Sequence, residues 1–458
     1  MGKHRRRNRF GSQRTLLLFL VFTSIGLVFF VVDTDRRSAA TLATLTVPPE
    51  VFFHNQLSLA ISEKDDDTLR LPRSELQPAL DTIAAWESFF LRKKNEVNGD
   101  EWDIVYQTWH DAETWEALAP EDIDRMDNFL NGHKEFLAEL RRVSALGGPM
   151  AAVPPYPETM DMEHLREARD SARFLALNIV YRARSGDGEA AAADIATGFL
   201  FAAAMAPEPN LISQFTRYGC AMITYHAILD AFPPGMMGEN EVARIFLEVQ
   251  KDPGRAPLLP TLVENRNTYV NHIATLLEGD WADRYSNMNR TIYFSSSGLR
   301  QKASQFVFSS PLARPWIKRD LSNASEVGTR IANVALLPYY EALQHYETLD
   351  VGFAPYTWQL AQSLPSTLGS QARHEALLQL LQLGLTLEQF AIPPETLDVL
   401  TEQFPEATLT DPFSGMPFIY RPNGDSFLLY SVGRNGTDDG GQHNFVHGDI
   451  VWRGVHSE

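Results

Sequence analysis

The chain has 458 residues, 44% of them hydrophobic and 21% charged, with a net charge of −18. That length suits two or three compact units, and that balance excludes global disorder. Six of the 40 basic residues (Lys3, Arg5, Arg6, Arg7, Arg9 and Arg14) precede the first acid, Asp33, so the remainder sets 34 basic groups against 58 acidic ones, a net −24. A surface that negative repels phosphates, which excludes nucleic acid as the expected partner.

Residues 1–14 read as a basic cytoplasmic segment. The run TLLLFLVFTSIGLVFFVV, Thr15–Val32, has 18 residues without a charge. As a helix it would span about 27 Å, close to the roughly 30 Å of a bilayer's hydrocarbon core. With arginines before it and Asp33 and Asp35 after it, the positive-inside rule predicts a single span with the N-terminus in the cytoplasm and the rest outside. A cleaved signal peptide is the alternative; its apolar region is shorter, roughly 7 to 15 residues, and here DTDRR separates the run from Ser38-Ala39-Ala40. Residues 33–55, with Pro48 and Pro49, read as a tether.

Residues 56–370 carry helical periodicity, as in ALDTIAAWESFFLRK and IDRMDNFLNGHKEFLAELRRV, broken by GGPMAAVPPYP near residues 147–157. Leu165, Ala168, Ala172, Leu175, Ile179 and Ala183 fall on one helix face. SGDG, residues 185–188, then turns the chain into an alanine-rich partner helix that Pro207 stops. The pair has the geometry of tetratricopeptide-like hairpins, without a sustained repeat. Further helices are predicted at Leu211–Phe232, in ENEVARIFLEVQKD and PTLVENRNTYVNHIATLLEG, at Val327–Tyr346 and at Gln371–Phe390. The lone Cys220 lies in the apolar YGCAMITYHAIL, where a thiol reads as a small buried hydrophobe and no intramolecular disulfide can form.

The tail, residues 371–458, changes pattern. After the apolar helix come Pro393-Pro394, DPFSGMP, an alternating strand at Pro417–Arg421, the hairpin signal PNGD, a strand at Phe427–Val432 and a third at Asp449–Trp452. The predicted fold class is therefore mainly α, a multi-helix ectodomain followed by a small α+β module of one long helix and a three-stranded antiparallel sheet. An acidic, glycine-rich loop, 433–448, joins the last two strands.

The order helix, DPFSGMPFIYR, FLLYSVGRNG, GG and DIVW resembles the C-terminal part of the type II secretion major pseudopilin over roughly residues 373–453. The whole chain is also similar to membrane-anchored helical proteins of planctomycete-type bacteria. The pseudopilin resemblance implies calcium in the 433–448 loop, with Asn435, Asp438, Asp439 and Asp449 as its ligands; calcium takes six to eight oxygens. Asn435 and His447 stand where the family has acids, and no glutamate lies in the anchor, so the module reads as a structural cap rather than a filament subunit.

Chemistry-bearing motifs are absent from the sequence. His374-Glu375 is followed by Ala-Leu-Leu, so HExxH lacks its second histidine, and there is neither a phosphate-binding glycine loop nor a G-x-S-x-G elbow. His110, His226 and His272 stand singly in helical patterns, and Glu87 and Asp103 are two acids among many. The leading expectation is a non-enzymatic, single-pass protein of the bacterial inner membrane whose helices offer a surface to a protein or peptide partner. The alternatives are a component of a type II secretion or pilus-like apparatus, and an envelope hydrolase with a site in 280–326.

Overall fold

In a computed structural model, residues 69–97, 99–112, 115–152, 163–232, 237–249, 314–348, 364–442 and 448–453 are described, with a few isolated positions besides. The expected membrane span, the tether and most of 280–326 lie outside them. Among the described residues no helix is long and apolar enough to cross a membrane. The chain divides into two compact units, one of residues 1–47, 266–330 and 350–362, the other of 48–265, 331–349 and 363–458.

The fold is mainly helical with a small three-stranded antiparallel sheet near the C-terminus, as the sequence predicts. The second unit opens with α1 (Arg73–Glu96), α2 (Asp100–Asp111), α3 (Pro120–Gly132) and α4 (Lys134–Leu146). α1 buries Leu76, Ile83, Trp86, Phe89, Phe90 and Lys93 at helical spacing. Phe89 stacks on Phe136 of α4 with ring centroids 5.0 Å apart, and Trp86 Nε1 donates to Gly147 O at 2.9 Å. Gly147, with φ of 77°, ends α4 in a conformation that glycine adopts without penalty.

α5 (Glu163–Arg184) and α6 (Gly188–Ala203) form the predicted hairpin. The turn is set by Gly186 with φ of 87° and by Asp187, whose side chain caps α6 through Ala190 N. The predicted face of α5 is buried, but so are Phe174, Ala176, Leu177 and Val180. α5 is thus the central helix rather than a half-exposed one, packed by α1, α6 and α7 (Leu211–Ala231). α8 (Glu239–Val249) lies against α6. Of the first unit, the described part is α9 (Arg314–Val334) up to Arg330.

α10 (Tyr339–Glu347) and α11 (Leu364–Leu387) lead into the sheet. α11 begins seven residues before the predicted Gln371 and ends three before Phe390. It is buried along most of its circumference, against α7 on one side and the sheet on the other. β1 (Ile419–Asn423), β2 (Ser426–Ser431) and β3 (Ile450–Arg453) are ordered β1-β2-β3. Asn423 pairs with Ser426, leaving Gly424-Asp425 as a two-residue turn with positive φ at its first position, the glycine-first hairpin type. β1 starts two residues later than the predicted Pro417 and ends two later than Arg421, and Pro422 is tolerated because β1 is an edge. Asp411 ties the preceding turn to β2: its carboxylate accepts from Phe413 N at 2.9 Å, Ser431 Oγ at 2.8 Å and Val432 N at 3.0 Å.

Candidate functional site

The loop after β2 was the predicted cation site, and its acids are engaged with the protein's own donors. Asp438 Oδ1 accepts from Tyr430 Oη at 2.7 Å and from Gly440 N at 2.8 Å, while Oδ2 faces Arg421 Nη2 at 2.9 Å. These bonds, that from Tyr430 foremost, hold the Asp438 carboxyl below its ordinary range. Asp439 Oδ2 accepts from Asn435 Nδ2 at 2.8 Å, and Asn435 Oδ1 accepts from Thr437 N at 3.0 Å in an Asx-type turn. Asp449 is buried; Oδ2 accepts from Gly441 N at 2.7 Å, Oδ1 has no hydrogen-bond partner among the described residues, and burial pushes its carboxyl up.

The described residues of this loop do not by themselves fit the calcium that the resemblance implies. Among the described residues, no three histidine, cysteine, aspartate or glutamate side chains are grouped so that they could hold one ion. Asp449 Oδ1, without a hydrogen-bond partner among the described residues, is a feature that invites a cation, and one carboxylate supplies one or two of the six to eight oxygens required. The four predicted ligands all lie at the loop end of the sheet, with Asp438 and Asp439 acting electrostatically on Asp449. His447 lies outside the described residues.

The helical interior holds polar clusters that periodicity alone did not reveal. Lys93, only 1% exposed, pairs with Glu167 at 2.6 Å and Asp170 at 3.3 Å, bracing α1 against α5. Asp194 of α6 receives Arg141 of α4 through both oxygens, at 2.6 and 2.9 Å, and Asn178 of α5 at 2.5 Å. Glu208, in the turn before α7, accepts from Ala151 N and faces His164 Nε2, both at 3.3 Å, fixing the segment after α4. Between α7 and α11, Tyr218 Oη donates to Gln371, the His374 ring lies 4.9 Å from that of Tyr218, and the Arg217 guanidinium lies over the Tyr218 ring at 4.6 Å from its centroid. The only forewarning in the sequence was a polar residue at an apolar-face position, as with Asn178 and Asp194.

Of the singled-out groups, His110 is exposed beside the Tyr106 ring, and His226 sits edge-on to Tyr225. Glu87 and Asp103 are exposed and far apart in the chain; His272 lies outside the described residues. Cys220 is buried and its thiol is pushed up to about 12 by desolvation, so it is an inert core group, as expected.

An open groove of about 440 Å³ is lined by Val242, Ala243 and Phe246 of α8, and by Thr386, Gln389, Phe390 and Gln403 around the end of α11. Its walls are mostly apolar, with Thr386, Gln389 and Gln403 as polar groups, and Phe390 is 41% exposed. Comparison with known proteins finds no family model, no curated protein and no solved structure that matches this chain.

Proposed function

We propose that this chain is a non-catalytic scaffold of the bacterial cell envelope, tethered by a single N-terminal span, with the α/β module as a structural cap and the helical part as the surface for a protein or peptide partner. The observation that carries the reading is how the buried charges are used. Lys93, Asp194 and Glu208 are each bonded to groups on other helices or turns. Charges placed this way fix the register of packed helices, where a reaction centre would present them to a substrate. The groove beside Phe390 is the concave apolar feature against which a partner segment would lie.

The test has two arms in native membranes. Alkaline carbonate should leave the full chain in the membrane pellet, and extraction into the supernatant would refute the anchor. A photo-crosslinking residue at Phe390 should give a discrete adduct that the same residue at exposed Glu121 on α3 does not. Equal labelling from both positions would remove the groove from the proposal.

A further inference from the structure

We infer that Arg421 supplies the cation of the 433–441 turn, so that this acidic loop closes on a guanidinium and needs no calcium. Arg421 lies on β1 opposite Leu428, and Tyr430 is two residues further along β2, on the same face of the sheet. The guanidinium carbon stands 5.3 Å from the centroid of the Tyr430 ring, within the range of a cation–π contact, while Nη2 reaches Asp438 Oδ2 at 2.9 Å. Tyr430 Oη donates to the other oxygen of the same carboxylate. Arginine, tyrosine and aspartate thus form a closed triangle, anchored in two strands and ending on the loop.

The remaining acids are consistent with that role. Asn435 holds Asp439, and the backbone of Gly440 and Gly441 holds Asp438 and Asp449, so a metal ion would have to displace most of these donors to gather its oxygens. A guanidinium is charged throughout the physiological range and cannot be chelated away. The loop is therefore permanently cross-braced, where a metal-closed loop would be conditional on the ion.

Arg421 and Asp438 are 50% and 43% exposed at their side chains, so the pair acts on local opening of the loop more than on global stability. Hydrogen exchange of the full chain, resolved to residues 433–441, reads that opening directly. Wild-type exchange should be the same in millimolar calcium and in chelator. Arg421→Gln should speed it by about two- to five-fold, and Arg421→Lys, which keeps the charge but loses the planar fork and ring contact, should fall between. Exchange in α5 and α7 serves as the control for intact folding. Slower wild-type exchange with calcium would overturn the inference, and so would an Arg421→Gln loop that exchanges at the wild-type rate.

Discussion

Gly384→Ala separates the intrinsic preference of a helix from the way this one is seated. In an exposed helix the change gains about 1 kcal/mol, because alanine loses less backbone entropy than glycine. Gly384 lies where α11 crosses β3, and a Cβ there would penetrate the Trp452 indole, well inside the 3.4 Å at which ordinary contact begins. The ring has little freedom to yield. Trp452 is buried, its Nε1 donates to Glu388 Oε1 at 3.1 Å, and Tyr225 of α7 packs edge-on at 6.0 Å. Overpacking of this kind costs about 1–3 kcal/mol, and tilting the indole away from Glu388 adds about 1 kcal/mol, which the helix gain offsets. The expected net is a destabilisation of about 1–3 kcal/mol, measured as a lower urea midpoint by circular dichroism. In a Trp452→Leu background the penalty of Gly384→Ala should largely vanish, since the two sites are in contact. A single variant as stable as wild type, or more so, would refute the described docking of α11 on the sheet.

Asp194→Ala should cost about 3 kcal/mol, at the lower end for breaking a buried ion pair because Arg141 retains some access to water; the urea midpoint reports it, and a loss under about 1 kcal/mol contradicts the bracing role. Cys220 should resist a thiol reagent in the native chain at neutral pH and react at once in denaturant, since its thiol is buried and held at about 12. Burial raises the Asp411 carboxyl above its ordinary 3.8 despite the donors from Phe413, Ser431 and Val432. The folded chain then binds this proton at higher pH than the unfolded chain does, so the group's contribution is largest in acid and is lost as pH rises from the unfolded value through the folded one. The difference in Tm between wild type and Asp411→Asn should therefore shrink across that window as pH increases, and a difference that widens contradicts the assignment.

Local chemistry was legible along the chain. SGDG placed the α5–α6 turn, Leu211–Phe232 marked α7 to within a residue, and PNGD marked the β1–β2 hairpin, because capping, glycine φ and side-chain period act within a few residues. The three strands were readable for the same reason, with β1 displaced because Pro417 is taken up in a bridge to Thr410. The candidate site was legible only as a list of acids in a loop. Which of them share an ion depends on where Tyr430 and Arg421 point, and those side chains come from strands paired by tertiary register.

By itself the sequence determined a mainly helical chain, an 18-residue uncharged run behind a basic head, and a short sheet at the end. Only the tertiary structure decided that α5 and α11 are buried on nearly all sides, that Gly384 and Gly198 are points of close approach, and that Lys93 meets Glu167 and Tyr218 meets Gln371. Those last pairs are 74 and 153 residues apart in the chain. Helix period and turn chemistry are set by neighbours in sequence, whereas the partner of a buried charge is set by which helices pack, and no spacing along the chain encodes that directly.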